Sequence, residues 1–284
     1  MNGLGQTGRR WVGVGSVSGA MYRFLFRPRW VGFHLLVVVA IVTMINLGFW
    51  QLRRLDERQA FNATVEARYD EPPVPLDGLV PADADPGDPA LDEVEWRPVT
   101  AAGTYLTDEV FFVVNRSQSG RAGRNVVVPL RLDDGRILIV NRGFVPLATD
   151  APGVPGDEVT LVGRVRTSQD RSLGQLADPA DGDLAEVQRV DIPRLAPQLP
   201  GEVVPVYVDL VTSEPAEAGP FPEPVAAPDL GEGNHLSYAV QWFVFAIAVG
   251  VGWVLAVRRS VRSNRRASQP TQQPPVETEQ PATH

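Results

Sequence analysis

The chain has 284 residues, 44% of them hydrophobic, with 26 basic side chains against 34 acidic ones, a net charge of −8 and a pI near 5.0. It holds no cysteine, three methionines and three histidines. The missing cysteine excludes disulfide exchange, covalent c-type haem attachment and a thiol copper relay, and so few methionines argue against a thioether copper site.

Residues 1–29 are basic and Gly-rich, and the first 22 of them read as a mobile segment. Trp30 to Trp50 contains no Asp, Glu, Lys or Arg and has about the ~20 residues that a helix needs to cross a bilayer. The run exceeds the 7–15 residues of a signal-peptide core, and no A-x-A site closely follows it, so it reads as an uncleaved anchor. Beyond it, LRRLDERQAFNATVEARY suggests a helix with an apolar stripe of Leu52, Leu55, Phe61 and Val65, ended by Pro72, Pro73 and Pro75. Residues 77–93 are acidic and Pro-rich and read as an exposed, disordered loop.

Six strands are then expected: 97–106, 109–116, 125–132, 136–145, 158–167 and 203–212. Asp133-Asp134-Gly135 joins the third to the fourth as a hairpin. Short strands with Gly, Pro and Asp punctuation suggest a small antiparallel sheet or a barrel. Residues 182–199 suggest one or two short helices, and Gly120 to Gly123 a turn. Residues 214–229 hold five Pro and read as an extended connector. Tyr238 to Val257 is a second uncharged apolar run of spanning length. Residues 258–284 read as a disordered tail.

The fold class is therefore an α+β membrane protein. Two transmembrane helices, 30–50 and 238–257, flank a mainly antiparallel β domain at 51–237. Orientation follows from arginine, the chain's only basic residue type. Residues 1–50 carry five Arg and no acid, and residues 258–284 five Arg and two Glu; the region between carries 16 Arg and 32 acids. Basic flanks stay in the cytoplasm, so both termini belong there and the central domain is extracytoplasmic. Arg53, Arg54 and Arg58 run against this rule but are outnumbered. The all-Arg composition with abundant Ala, Val, Gly and Pro points to a bacterial plasma membrane.

The expected strands contain no histidine, which argues against Ser-His-Asp catalysis and a zinc site there. The acidic surface argues against nucleic acid. His34 falls one turn into the first span and His235 just before the second. They lie at opposite faces of the bilayer, so they cannot share one small cofactor. His34 suits a headgroup anchor. Tyr238, Ala239 and Trp242 share the helix face of His235, and Asn234 is placed to cap that helix. An imidazole beside a small residue and two aromatics could ligate a haem iron and stack its macrocycle. An aromatic belt at the interface uses the same residues.

Leu47-Gly48-Phe49-Trp50-Gln51-Leu52-Arg53-Arg54 resembles the LGxWQxxR signature of the Surfeit locus protein family. Val140 to Pro146, VNRGFVP, resembles its VNRGWVP segment, and Asn234 to Phe243 its entry to the second span. Gly123 to Leu130 fits a weaker motif. Phe144 replaces a Trp, Glu57-Arg58 replaces an aromatic-Lys pair, and 77–93 resembles an insert. The resemblance implies an assembly factor, not an enzyme, for a haem-copper terminal oxidase of the respiratory chain. It implies a chaperone that handles haem a for the catalytic subunit of cytochrome c oxidase. The supercomplex and haem a synthesis enzymes are further implied partners. His235 becomes the implied axial ligand, with Tyr238 and Trp242 flanking the porphyrin. Arg54 and Arg142 become partners for its propionates by motif position, each with an ion pair inside the domain or a snorkelling side chain as the alternative. The rival reading is an accessory oxidase subunit without haem, whose Gly250 and Gly252 admit partner helices. A two-span signal receptor is disfavoured by the short tails.

Overall fold

In chain order the elements are α1 (Pro28–Arg68), β1 (Val74–Pro75), α2 (Pro89–Asp92), β2 (Pro98–Tyr105), β3 (Phe111–Gln118), β4 (Arg121–Leu132), β5 (Ile137–Pro146), β6 (Glu158–Thr167), β7 (Glu186–Val187), α3 (Ile192–Leu195), β8 (Val203–Glu214) and α4 (His235–Ala267). They come from a computed structural model that describes residues 23–81, 84–150 and 152–267. The mobile start expected at 1–22 and the tail from 268 onward, His284 included, lie outside the described residues. The chain divides into two units, one made of the residues up to Gln59 with those from Glu232, the other of Ala60–Gly231.

The first unit is a helical hairpin. α1 runs 41 residues without a break, so the expected span and the helix after it are one element of about 60 Å. Its Pro28 stands at the first position, where a missing N–H costs nothing. α4 begins at His235, three residues before the boundary read from hydropathy, and continues to Ala267. The arginine-rich stretch 258–267 is therefore helical and not a disordered tail. Hydropathy reports where apolar residues stop, whereas Arg continues a helix readily.

The two helices pair antiparallel. His34 meets Trp253, Gly250 faces Ile41, Phe49 packs on Phe243 at 5.5 Å, Gln51 meets His235 and Gln59 meets Glu232. Gly48 sets the closest approach, since a Cβ there would lie 2.7 Å from the Phe243 ring. Leu35, Leu36, Val39, Ile247 and Leu255 remain exposed. Both helices are long and apolar enough to cross a membrane, at mean hydropathy 2.2 and 2.1, and a helix satisfies its own backbone there. Together these features fit membrane association.

The second unit is built on a closed ring of strands. β2 pairs with β6, β6 with β8, β8 with β5 and β5 with β4. β4 returns to β2 through Leu132, Arg131 and Leu130 against Gly103, Thr104 and Tyr105. The open choice between sheet and barrel thus resolves as a five-stranded ring, which leaves few edges to cover. The closure needs glycine, because a Cβ on Gly103 would sit 2.1 Å from the Arg131 carbonyl oxygen. β3 extends from β4, and β1 and β7 add two residues each. Pairing is mainly antiparallel, but β5 and β8 run parallel.

Alternation fills two cores. Val126, Val128, Leu138, Val140, Leu161, Val206 and Val208 point into the ring. Val127, Ile137, Ile139 and Tyr207 point outward under Val187, Val190, Ile192 and Leu195. The cover over this second core is the segment expected to be helical; it supplies one short α-helix, capped by Asp191 on the Arg194 N–H at 3.2 Å, and a 3-10 turn at Ala196–Gln198. β5 is buried on both faces as a result.

Two expected loops are docked instead. Leu76, Val80 and Leu91 bury into the ring core from the 77–93 region and its edge, and Asp88 caps α2 by accepting from the Ala90 N–H at 2.8 Å. Composition registers the acids and prolines there but not these anchors. In the 214–229 connector, Glu223 pairs with Phe144 through backbone bonds of 2.7 and 2.9 Å. The turn expected at 120–123 sits at Ser119-Gly120, and Gly123 already lies in β4.

Candidate functional site

His235 is the first residue of α4. Its Nδ1 lies 2.8 Å from the Gln51 Oε1 of α1. With that carbonyl oxygen accepting, Nδ1 carries the ring proton and Nε2 keeps its lone pair. Gly233, at φ +69, lies against the other edge of the ring. A Cβ there would stand 3.5 Å from both Cδ2 and Nε2. The glycine therefore serves two ends: it permits the left-handed turn into the helix, and it leaves the Nε2 edge free of a side chain. The Asn234 carbonyl accepts from the Tyr238 N–H at 3.1 Å, so it is the backbone of Asn234 that opens the helix.

Tyr238 is half exposed, and Trp242 is partly buried and meets Phe245 edge-on at 6.1 Å. Both stand on the His235 face by helical spacing. Arg54 lies three residues beyond Gln51 on α1, exposed and paired with Glu57 at 2.8 Å. Such a surface pair is weak enough to exchange for another anion. Arg142 belongs to the second unit and its side chain has no exposure. Its Nε donates to the Glu217 Oε1 at 2.8 Å, and its Nη2 donates to Glu217 Oε2 and, at 3.1 Å, to the Gly153 carbonyl oxygen. This is the geometry of an ion pair inside the domain rather than of an open rim.

His34 has the opposite chemistry. Trp253 Nε1, which can only donate, binds its Nδ1 at 2.8 Å, so the lone pair is used within the hairpin. The headgroup anchor expected of His34 is in the structure a polar link between the two helices, flanked by Trp30 and Phe33.

The SURF1 family model matches residues 38–247 of the chain. A SURF1-like protein of Mycobacterium tuberculosis is 28% identical over 265 residues, covering 90% of this chain and 94% of the relative. A SURF1-like protein of Monosiga brevicollis is 30% identical over 253 residues, 83% of this chain and 91% of its own. The chain belongs to the SURF1 family. Human Surfeit locus protein 1 is 27% identical over 234 residues, 75% of this chain and 73% of the human one.

The SURF1-family match takes in Gln51, Arg54, Arg142, His235, Tyr238 and Trp242. The donor set also limits what metal could be held. Among the described residues no group of three or more His, Cys, Asp or Glu is placed to hold a metal ion. A lone imidazole cannot build the three- or four-ligand cage of a zinc site. It can hold a metal that brings its other ligands with it, as haem does. His235 Nε2, the uncluttered edge at Gly233 and the aromatic face are of a chemistry that would suit a haem.

Sequence reasoning missed a second polar centre in this SURF1-family chain, inside the β unit. Asp209 of β8 accepts from Asn141 Nδ2 at 2.7 Å and from Arg166 Nη1 at 3.1 Å. Arg166 also donates to Glu95 at 3.2 Å and lies 3.8 Å from the Trp96 ring centre. Burial pushes the Asp209 carboxyl above the usual carboxylate range, against the pull of Arg166 and Asn141. Burial likewise raises the Tyr207 phenol, whose oxygen accepts from Gln169 at 2.9 Å. Asp209, Asn141, Arg166, Tyr207 and Gln169 line a cavity of about 250 Å³ together with Arg116 and Phe144. Asn141 Oδ1 and Arg116 Nε are buried there without protein partners. A polar cavity of this size accommodates water, which can satisfy both. The signal in the sequence was an aspartate inside the apolar run VVPVYVDLVT.

Proposed function

We propose that the chain assists assembly of a haem-copper cytochrome c oxidase, holding haem a transiently at one end of its membrane hairpin and passing it toward the catalytic subunit. In this reading it is a carrier and not a catalyst, and it sits in the bacterial plasma membrane. Membership of the SURF1 family supports the assembly role. The observation that carries the haem role is the Gln51–His235 contact at 2.8 Å, which engages Nδ1 and leaves Nε2 for a ligand. Iron is the chemistry that a bound haem would supply here. His235 would hold it through Nε2, Tyr238 and Trp242 would offer stacking surface, and Arg54 would pair with a propionate in exchange for Glu57. Arg142 supports the domain wall instead. The arginine-rich ends argue for cytoplasmic termini and an extracytoplasmic β domain.

The experiment is purification of the full chain, and of His235→Ala, from cells that make haem a. The wild type should carry haem a with a defined Soret band, and the variant should lose it. Equal haem content and an unchanged spectrum in His235→Ala would remove this reading.

The accessory-subunit reading keeps one supporting observation. Gly252 has nothing within 4 Å of its Cβ position, and Val251 and Leu255 beside it are exposed, so a foreign helix could approach there. Stoichiometric copurification with the oxidase, with no haem bound at any stage, would favour it.

A further inference from the structure

We propose that Gln51 is the positioning residue for His235: it selects the ring tautomer, aims Nε2 outward and tunes the imidazole as a ligand. This inference rests on the haem-carrier reading and deepens it. The two side chains come from opposite helices, 184 positions apart in sequence, and meet at 2.8 Å. The contact joins the Leu47–Arg54 motif to the Asn234–Phe243 motif.

A neutral imidazole bears its proton on one nitrogen only, and an acceptor at Nδ1 places it there. Metal-bound histidines commonly donate their other N–H to a carbonyl or carboxylate, which fixes ring orientation and raises ligand basicity, and losing that partner typically weakens metal affinity 10–100-fold. The chain then provides a counter-example in His34, where Trp253 donates to Nδ1 and so reverses the tautomer. The two imidazoles are alike in sequence terms, both bordering an apolar span. Their partners make one an available ligand and the other a closed one. The amide is also anchored sterically. Gly48 lies three residues before Gln51 on α1, and its lack of a Cβ lets the Phe243 ring pack against the helix, which holds the two helices close enough for the bond.

The test uses the full-length chain in detergent with haem a, comparing wild type, Gln51→Leu, Gln51→Glu and His235→Ala. Gln51→Leu removes the acceptor, and Gln51→Glu strengthens it. We expect Gln51→Leu to bind 10–100-fold more weakly. The reduction potential of the bound haem should rise in Gln51→Leu and fall in Gln51→Glu, because a more basic imidazole favours the ferric state. ¹⁵N NMR of His235 in the haem-free chain should show Nδ1 protonated in the wild type and a tautomer mixture in Gln51→Leu. Gln51→Glu guards against a folding defect, since it keeps an acceptor in the same place. Wild-type affinity and potential in both Gln51 variants, with binding still lost in His235→Ala, would overturn the role of Gln51 and leave the carrier reading intact. Unchanged binding in His235→Ala would overturn both.

Discussion

Arg142 and Glu217 offer a stability test whose outcome depends on which partner is removed. The Arg142 side chain has no exposure, whereas Glu217 keeps 19% of its own. Breaking a buried pair by removing one partner costs about 3–5 kcal/mol, because the remaining charge is desolvated without compensation. Glu217→Gln leaves the guanidinium inside, where its Nη1 already lacks a partner, so the full cost of about 3–5 kcal/mol applies. Arg142→Met leaves a carboxylate that can still reach water. Its cost should fall toward the roughly 1–3 kcal/mol of an unsatisfied polar group. The double change to Met and Leu removes both charges and should come close to neutral. The assay is chemical denaturation of the detergent-solubilised chain, followed by tryptophan fluorescence. A Glu217→Gln variant no less stable than Arg142→Met would refute this reasoning. The same proteins distinguish structure from ligand binding: haem content per folded molecule should be unchanged in Arg142→Met, whereas a propionate partner would lower it.

Two further outcomes can be checked. Gly48→Ala should lower hairpin stability by about 1–3 kcal/mol in graded SDS unfolding, since the new Cβ falls 2.7 Å from the Phe243 ring; combining it with Phe243→Leu should restore much of the loss, and no rescue would mean that the contact is not limiting. Asp209 should make an unusual contribution to pH dependence. Burial raises its folded pKa above the unfolded value near 4, so its stabilising share is complete below that pH and is lost as the pH rises through the folded pKa. Relative to Asp209→Asn, the wild type should be most favoured near pH 4 and less favoured at pH 7, and the reverse trend would contradict the assignment.

What the sequence revealed divides along the range of the interactions. β6 falls where alternation placed it, and the Asp133–Gly135 hairpin joins β4 to β5 as its turn residues specify, because both signals are local. The ring was not legible. Its closure depends on Gly103 meeting Arg131 and on a parallel pairing of β5 with β8, and neither leaves a pattern in its own segment. The 77–93 loop departs from its composition for a related reason: two buried residues in that acidic, Pro-rich stretch, Val80 and Leu91, with Leu76 at its edge, outweigh the exposed ones. At the candidate site, His235 and its aromatic face were visible from helical spacing. Gln51 was visible only as a motif letter, because its role lies in a partner on the other helix.

A single anchor is what a carrier reading demands. The chain has three histidines, of which His284 lies outside the described residues and His34 spends its lone pair on Trp253. In such a carrier, His235 would be the one imidazole of the described hairpin with a nitrogen left for a ligand. Each tenfold of affinity corresponds to about 1.4 kcal/mol, so a single metal–nitrogen bond would leave a ligand less tightly held than two. The helix face serves the same end. Tyr238 is half exposed, and Arg54 is tied only by a surface pair with Glu57, so neither commits the site to a closed pocket. In that reading, a receiving subunit that offers its own histidine would have one contact to compete with. The Gly48–Phe243 contact and the Gln51 bond hold His235 in place between the two helices, so a ligand leaving it would disturb neither.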